Sequence, residues 1–407
     1  MFPTAPLTAV LLLIVSVAAN PIVVRKTLVS LPFARRLNIT GAHDLIQKDR
    51  TRARNMFNSH KNKRSGTPGS VSVTNVAVVY EASVGIGAPP TSYTLLVDTG
   101  SSNTWIGAGK PYVPTGSSVP LPDSVCVTYG SGSFCGMEVL ETVTLTPTLV
   151  VHNQSIGIAS TSTGFQGFDG ILGLGPVDLT IGTLSPDTNT PIPTVTDNLF
   201  LQGTTPADLL SISFQPTTTA SVKNGELMFG GNDTTQFTGP ITTVPITTAF
   251  PASEFWGVDE SIRYGASTII LASTPGIFDT GTTLILIATN GFNLYKSATG
   301  AVLDANTGLL RITPAQFSNL KSLFFIIGGT AFEFTANAQI WPRSLNTLIG
   351  GTASSIYLVV NDIGTPSGQG LDIINGFTFL ERFYTIYDTT NKQVGIAKTP
   401  FTTATTN

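Results

Sequence analysis

One short pattern occurs twice in the sequence, and it constrains the fold more than any other feature. Residues 95–105 and 277–285 both contain apolar residues, then Asp-Thr-Gly, then two hydroxyl residues. An apolar run is typical of a buried strand, and Thr-Gly after it indicates a tight turn. Each copy therefore predicts a strand that ends at an aspartate, Asp98 or Asp279. We expect two halves of one design, each contributing one carboxylate.

Two carboxylates that face each other across a pseudo-twofold axis cannot both ionise easily. They would share one proton, so that one acts as a base, the other as an acid, and a water between them becomes a nucleophile. The hydroxyls of Thr99 and Ser101 and the backbone N–H of Gly100 could satisfy a buried Asp98. A single copy could be a structural turn acid, whereas the recurrence favours the chemical role.

Composition narrows the class of protein. Only 11% of the 407 residues are charged, and Gly, Ser, Thr and Pro are plentiful, which is typical of a β-rich extracellular protein. Of three histidines, His43 and His60 lie in a segment that we expect to be removed. A catalytic triad would depend on His152 alone, and a histidine-rich metal site is excluded. No apolar run after the N-terminus reaches the roughly 20 residues of a membrane span.

The N-terminal residues 1–19 predict a signal peptide. Their apolar core is too short to span a membrane, and Val17-Ala18-Ala19 offers small residues for cleavage. A buried N-terminal strand is the alternative, and it fits less well with the basic segment that follows. We therefore expect a secreted, extracellular protein without a membrane anchor.

Charge is distributed asymmetrically along the chain. Residues 20–64 hold 11 Lys and Arg and two acids, a net charge of +9, whereas the rest of the chain carries −12. A basic segment could bind nucleic acid or anionic lipid, or it could be a removable pro-segment that lies on the acidic body. Secretion argues against the first, and the dibasic pair Lys63-Arg64 in a flexible linker is a plausible cleavage point. We expect residues 20–66 to be an inhibitory pro-segment, with a lysine against the two carboxylates.

The remaining chain reads as strands and turns, divided into lobes at 67–245 and 246–407. Helices are predicted at 193–202, 284–296 and 313–322, with a helical turn at 378–383. Residues 125–140 predict a hairpin with its tip at 129–132. In such a hairpin the paired residue numbers have a constant sum, so Cys126 faces Cys135. Secretion favours a disulfide between them, and two free thiols flanking a turn are the alternative.

Together these segments resemble the pepsin-like aspartic proteases (family A1) over residues 75–398. The resemblance is carried by residues 97–105, 127–133, 168–173, 278–283 and 383–388. Residues 338–343 and 375–382 resemble fungal members of the family. The resemblance implies a mostly β, bilobal fold, with two pseudo-twofold-related lobes and the active cleft between them. It also implies a monomeric aspartic endopeptidase that acts on polypeptides at acid pH, is made as a zymogen, and needs no cofactor, metal or nucleic acid.

Specific residue roles follow from the same resemblance. Asp98 and Asp279 would be the catalytic pair. Supporting roles fall to Thr99 and Thr280, which would interlock beneath the pair, to Ser101 and Thr282, which would bond the outer carboxylate oxygens, and to the flap tyrosine Tyr129, whose hydroxyl would reach Trp105. The substrate backbone would bind as an extended strand to Gly100, Gly130, Ser131, Gly281 and Thr283.

Two departures from the family pattern stand out. Ile171-Leu172-Gly173 has the usual two apolar residues before the glycine that backs a catalytic turn, but the second copy reads Ile374-Asn375-Gly376. A buried Asn375 requires polar partners, which the sequence does not identify. Ser131 stands where some fungal relatives carry Asp, so a basic side chain at the cleavage site would lack an ion-pair partner. We therefore expect a preference for apolar and aromatic residues.

Two other function classes compete with a protease. A non-catalytic, peptide-binding protein of the same fold would have lost an aspartate or the flap tyrosine, whereas this sequence retains both aspartates and the tyrosine. A cell-wall structural protein would contain low-complexity repeats, to which only residues 401–406 are similar. Asn153 and Asn232 lie in Asn-X-Ser/Thr sequences and are possible glycosylation sites.

Overall fold

The structure is a computed structural model that describes residues 29–38, 42–57, 77–130 and 132–407. The predicted signal peptide at 1–19, the pair Lys63-Arg64 and Ser131 lie outside the described residues. Among the helices described, none is both long and apolar enough to cross a membrane.

Strands dominate both halves of the chain. The first half contains β1 (Val29–Asn38), β2 (Ala77–Ile86), β3 (Thr91–Asp98), β4 (Trp105–Ile106), β5 (Val119–Thr128), β6 (Ser133–Thr146), β7 (Leu149–Thr163), β8 (Gly170–Gly173), β9 (Leu184–Ser185), β10 (Leu209–Phe214), β11 (Ser221–Phe229) and β12 (Thr238–Pro245). The second half contains β13 (Gly257–Tyr264), β14 (Thr268–Phe278), β15 (Ile285–Ile287), β16 (Val302–Leu303), β17 (Leu310–Ile312), β18 (Leu323–Ile327), β19 (Thr330–Phe334), β20 (Ile356–Tyr357), β21 (Val360–Asp362), β22 (Ile373–Asn375), β23 (Phe383–Asp388) and β24 (Gln393–Lys398).

The helices are few and mostly short. They are α1 (Ala42–Phe57), α2 (Val195–Leu201), α3 (Thr289–Thr299), α4 (Pro314–Ser318) and α5 (Phe377–Leu380), with 3-10 turns at Val177–Thr180, Ala252–Glu254 and Arg343–Ile349. Thr194 and Thr313 cap α2 and α4 through capping boxes, which satisfy otherwise unpaired N–H groups. The prediction of a helix starting at 284 is wrong. Ile285–Ile287 is a strand with all three side chains buried, and a continuous apolar run of this kind does not distinguish a buried strand from a helix.

The duplicated sequence pattern corresponds to a duplicated topology. In the first half β3 pairs in parallel with β8, β8 antiparallel with β4, and β4 in parallel with β7. In the second half β14, β22, β15 and β21 follow the same order with the same directions. Asp98 ends β3 and Asp279 follows β14, so equivalent backbone frames hold the two aspartates.

The sheets connect the two predicted lobes. A 14-stranded sheet runs β12-β24-β23-β10-β11-β1-β2-β3-β8-β4-β7-β6-β5-β9, and a seven-stranded sheet runs β19-β18-β13-β14-β22-β15-β21. The C-terminal strands β23 and β24 therefore pair with β10 and β12 from the first half of the chain. The predicted mostly β, pepsin-like fold is confirmed, and the division at 245 stays a prediction.

Part of the basic segment belongs to the central sheet. Strand β1 lies between β2 and β11 and pairs antiparallel with both. Phe33 is buried and makes edge contacts with Tyr80 and Phe214, each at a centroid distance of 5.1 Å. Buried Arg35 lies 3.3 Å from Glu381. This strand is therefore held by ladder hydrogen bonds, aromatic packing and a buried ion pair, not only by surface charge.

Candidate functional site

The two duplicated turns bring Asp98 and Asp279 together in a fully buried position. Beneath them the threonines interlock: each of Thr99 and Thr280 donates its backbone N–H to the hydroxyl of the other, at 3.0 Å. The hydroxyls in turn donate across the axis, Thr99 to the carbonyl of Phe278 and Thr280 to the carbonyl preceding Asp98. Four reciprocal bonds fix the separation of the two turns, so the geometry of the carboxyl pair is set before any substrate binds.

Each carboxylate is oriented by donors from its own turn. The Ser101 hydroxyl donates to Oδ2 of Asp98 at 2.6 Å, and the Thr282 hydroxyl donates to Oδ2 of Asp279 at 2.5 Å. The backbone N–H two residues after each aspartate donates to its Oδ1 at 3.0 Å. Bonds to a charged acceptor are short and strong, so the carboxylates cannot rotate freely.

The guanidinium of Arg52, on α1, binds both carboxylates. Its Nη2 lies 2.5 Å from Oδ1 of Asp98 and 2.8 Å from Oδ1 of Asp279, and its Nε lies 2.6 Å from Oδ2 of Asp279. The prediction of a basic side chain at this place is correct in charge but wrong in type, because an arginine stands where we expected a lysine. The planar fork of arginine holds both oxygens of Asp279 in a fixed bidentate geometry while its Nη2 also reaches Asp98. Lys48, one helical turn earlier, is also buried, and burial lowers its pKa to about 8.

The pKa values of the two aspartates shift in opposite directions. Burial raises the pKa of Asp98, with the neighbouring Asp279 adding to the shift and Arg52 opposing it. Burial also favours the protonated form of Asp279, but Arg52, Thr282 and the N–H of Gly281 outweigh it and lower its pKa. The asymmetry follows from Arg52, which makes two contacts with Asp279 and one with Asp98.

Side chains of helix α1 also form hydrogen bonds with backbone groups of the cleft. The Asp49 carboxylate accepts the N–H of Thr283 at 3.2 Å and that of Leu284 at 2.9 Å. The Asn55 side-chain amide donates to the carbonyl of Tyr129 at 2.7 Å. These groups satisfy backbone donors and acceptors on opposite walls of the cleft, as an extended peptide could do.

The predicted substrate-binding glycines lie against Arg52. A Cβ atom added to Gly100 or Gly281 would overlap its guanidinium, and one added to Gly130 would overlap its backbone. Close approach of another chain requires glycine at these positions. The structure therefore gathers Gly100, Gly130, Gly281 and Thr283 along α1, whereas Ser131 is outside the described residues.

The predicted flap tyrosine belongs to an aromatic cluster. Tyr129 is buried and lies parallel to Trp105 at a centroid distance of 6.4 Å, with Phe165 edge-on at 5.4 Å. Burial raises the pKa of the Tyr129 hydroxyl, and the Trp105 indole partly offsets this effect. Within the described residues, however, neither the hydroxyl nor the indole N–H makes a well-aligned hydrogen bond. Trp105 acts here through packing, since Phe134 stacks on it at 4.2 Å.

The hairpin register and the disulfide are confirmed. Cys126 pairs directly with Cys135 between β5 and β6, and the two form a disulfide with Cα atoms 4.2 Å apart. The N–H of Tyr129 donates to the carbonyl of Gly132 at 2.7 Å and closes the tip. The disulfide thus lies at the base of the hairpin, on the strands that carry Tyr129 and Gly130.

We expect the double substitution Cys126→Ser and Cys135→Ser to lower the free energy of unfolding by about 3 kcal/mol or less, because the closed loop is short. KM for a peptide should rise more than kcat falls, since the hairpin base is loosened while the dyad is untouched. Urea unfolding and steady-state kinetics measure the two effects, and alkylation of the unreduced, unfolded protein serves as the control. Two alkylated thiols in that control would contradict the disulfide.

The two possible glycosylation sites differ in setting. Asn153 is exposed on β7 with a φ of 50°, in the left-handed region that asparagine tolerates. Asn232 is partly exposed, and its Oδ1 is buried without a hydrogen-bond partner in the described part of the chain. Asn153 is therefore the more accessible of the two.

Sequence reasoning missed four polar residues of the site. Asp49, Arg52 and Asn55 lie in the basic segment, and their spacing on one helix places them on one face. The fourth is Glu260, on β13, whose Oε1 accepts the Asn375 amide at 2.7 Å. Glu260 thus supplies the polar partner that a buried Asn375 requires, and no local signal links residues so far apart in sequence.

Comparisons with known proteins agree with this geometry. A family model described as eukaryotic aspartyl protease matches residues 79–399. Polyporopepsin of Irpex lacteus is 64% identical over 339 residues, which are 83% of this chain and 99% of that protein. Pepsin A of Suncus murinus is 28% identical over 337 residues, or 78% of this chain and 80% of that protein. The crystal structure of aspartic proteinase from Irpex lacteus matches with a TM-score of 0.81 and 57% identity, covering 94% of this chain and 100% of that one.

Proposed function

Because the chain belongs to the eukaryotic aspartyl proteases and is a pepsin-like aspartic endopeptidase, we propose that Asp98 and Asp279 perform the hydrolysis, at acid pH, on peptides that enter the cleft now filled by α1. The observation that carries this proposal is the binding of one guanidinium by both carboxylates. A cation held at that point occupies the position that a reacting water and a peptide carbonyl would need.

The geometry of the pair supports a shared-proton mechanism. A carboxylate takes a proton from the water, the water oxygen attacks the peptide carbonyl, and the protonated partner donates to the carbonyl oxygen. The C–N bond then breaks as the proton taken from the water passes to the departing amine and the hydroxyl formed on the former carbonyl returns its proton to the pair. The hydroxyls of Ser101 and Thr282 and the two backbone N–H groups leave each carboxylate one orientation in which to act. Aspartates that share a proton in this way function at acid pH, where one of them remains protonated.

Residues 20–66 act as the pro-segment in this proposal. In the described part, β1 fixes the segment to the central sheet and α1 fills the cleft. The segment would keep the enzyme inactive by occupying the cleft, where Arg52 neutralises the charge of the dyad. Asp49 and Asn55 hydrogen-bond the Thr283 N–H and the Tyr129 carbonyl. Peptide substrates would bind to those same groups by strand addition.

Secretion and substrate preference complete the proposal. A signal peptide at 1–19, a disulfide and a sequon at an exposed Asn153 all fit an oxidising, extracellular setting. Since Ser131 supplies no negative charge, the enzyme should prefer apolar or aromatic residues beside the cleaved bond.

Cleavage of a synthetic peptide library tests the proposal. Precursor converted at acid pH should cut between apolar or aromatic residues, and a statine-containing peptide inhibitor should abolish the cutting. Matched samples with a metal chelator or a serine-directed reagent should cut as fast as untreated enzyme. The proposal is wrong if the peptides bind but remain intact, or if the statine-containing inhibitor leaves the rate unchanged.

A further inference from the structure

A buried acid–amide pair lies one strand away from Asp279. Glu260 on β13 and Asn375 on β22 are 1% and 0% exposed, and the Asn375 amide donates to Oε1 of Glu260 at 2.7 Å. The pair fills space left by Gly276, where a Cβ atom would overlap the Glu260 carboxyl group. A glycine in the strand between them thus makes room for a polar contact inside an otherwise apolar sheet.

The remaining polar atoms of the pair complement each other only if Glu260 carries a proton. Oε2 of Glu260 and Oδ1 of Asn375 are both buried, and neither has a hydrogen-bond partner within the described residues. Two acceptors repel, whereas a protonated carboxyl has an O–H that an amide oxygen accepts. A neutral acid and an amide can therefore form two hydrogen bonds in one ring and leave no buried polar atom unpaired.

This pair is connected to the catalytic turn by the backbone. Asn375 is the register partner of Phe278, and its carbonyl accepts the backbone N–H of Asp279 at 3.2 Å. On its other side Asn375 pairs with Ile285 of β15. In the first half the same position holds Leu172, which packs in the apolar core and is the register partner of Val97. At this register position the second half therefore has a polar side chain where the first half has an apolar one.

We propose that Glu260 is a positioning residue for Asp279: in its neutral form it closes a double hydrogen bond with Asn375 and thereby fixes the strand that holds the Asp279 backbone. The inference rests on the proposed role of Asp279 in hydrolysis. It adds to that role a group that does not touch substrate and that ties the geometry of the dyad to the protonation of a distant carboxyl.

The surroundings of Glu260 favour the neutral form. The flanking strands β14, β18 and β22 carry no titratable side chain. Titratable groups on or beside these strands and β13 are Glu254, Asp259, Arg263, Tyr264, Asp279, Lys321, Glu333 and Asp372. Of these, buried Asp372 accepts the hydroxyl of Thr274, the register partner of Glu260. Burial raises the pKa of Glu260 to about 8, opposed only by the hydrogen bond from Asn375. Because the unfolded chain releases this proton at a lower pH, the stabilisation by the pair is lost as pH rises from about 4.5 towards about 8.

Three substitutions in the converted enzyme separate positioning from simple packing. In Glu260→Gln the new side chain still offers Asn375 one hydrogen-bond acceptor and one donor, and it has no ionisable group. Therefore kcat per active site should stay near the wild-type value. Glu260→Leu and Glu260→Asp break the ring, and kcat should fall about tenfold or more, because a displacement of 1 Å can cost about 100-fold. The pH profile of kcat should shift in the same two variants, since the spacing of Asp98 and Asp279 changes. Active sites are counted by titration with a statine-containing peptide.

Asp208→Leu is the matched control. Asp208, which directly precedes β10, also has a buried carboxyl oxygen, and burial together with the neighbouring Asp197 raises its pKa to about 7. It should lose stability while keeping kcat and its pH profile. Should Glu260→Leu fail to fold, Glu260→Asp decides the matter. Wild-type kcat and pH profile in folded Glu260→Leu or Glu260→Asp, or equal losses in Glu260→Gln and Glu260→Leu, would overturn the proposal. Loss of all activity in Asp279→Asn bears only on the dyad.

Discussion

Replacement of either catalytic aspartate by asparagine should reduce peptide hydrolysis by about 10³-fold or more, because general acid and general base each contribute about 10²–10⁴ to such a reaction. Asp98→Asn and Asp279→Asn keep the size of the side chain and an oxygen for the hydroxyls of Ser101 and Thr282. The fold should therefore persist. A neutral amide cannot take a proton from water, so the shared-proton pair no longer exists.

The measurement needs mature enzyme, since an inactive variant cannot process itself. A protease specific for basic residues would remove the N-terminal segment, and kcat/KM would then be compared at acid pH with near-ultraviolet circular dichroism as the check on folding. Asp259→Asn is a matched control, because Asp259 is exposed and accepts a hydrogen bond from the Thr247 hydroxyl. Substantial turnover by a folded Asp98→Asn or Asp279→Asn enzyme would contradict the assignment.

Loss of Arg52 should release the precursor from latency. Without the guanidinium, the two buried carboxylates would lose the cation that hydrogen-bonds them and retain the attraction of Lys48, and breaking a buried ion pair costs about 3–5 kcal/mol. The Arg52→Ala precursor should therefore hydrolyse a fluorogenic peptide about 10²–10³ times faster than wild-type precursor at mildly acid pH. Initial rates are measured while gel electrophoresis shows the chain to be uncut.

Two further variants sharpen this test. Arg52→Lys keeps the charge but loses the fork, so its activity should be intermediate. Arg50→Ala removes the same charge from a partly exposed contact with Asp362, which contributes no more than about 1 kcal/mol, and it should stay latent. A silent Arg52→Ala precursor, or an equally active Arg50→Ala precursor, would contradict the role of Arg52.

We expect the same ion pair to determine the pH at which helix α1 leaves the cleft. Since Arg52 lowers the pKa of Asp279, its attraction persists until pH falls through that lowered value. Asp49 has the opposite effect on docking, because burial raises its pKa to about 7. Docking of α1 is therefore stabilised by protonation of Asp49 as pH falls from about 7 towards about 4, the pKa of an ordinary aspartate. Below that pH Asp49 adds nothing further. Release should therefore require a pH low enough to protonate Asp279 against Arg52, which lies below the ordinary range of an aspartate.

The sequence was most informative where a catalytic motif occurs twice and where a turn fixes the register of a hairpin. The two Asp-Thr-Gly segments predicted both buried aspartates, and the hairpin count placed Cys126 opposite Cys135. Such features are local, since a strand, a turn and their polar donors lie within a dozen residues of each other. The family resemblance then supplied the fold.

Contacts between distant parts of the chain could not be predicted in this way. The charge asymmetry indicated that the basic segment contacts an acidic body. Charge alone does not show which of its eleven Lys and Arg residues reaches the dyad, because that depends on the position of Arg52 on one face of helix α1. Likewise the sequence indicated that Asn375 needs a polar partner but did not identify Glu260, because that contact depends on the order in which β13, β14 and β22 pair in the sheet. Ile285–Ile287 became a strand for the same reason, since pairing with β21 and β22 overrides local preference.

Strand β1 has a consequence for the lifetime of the enzyme. The chain assembles its 14-stranded sheet with β1 between β2 and β11, and that strand belongs to the segment that we expect to be discarded. After its removal, the polypeptide that remains is no longer the one that folded. Its durability then depends on how slowly it opens rather than on an equilibrium with the unfolded chain, so that each molecule which opens is lost to activity for good.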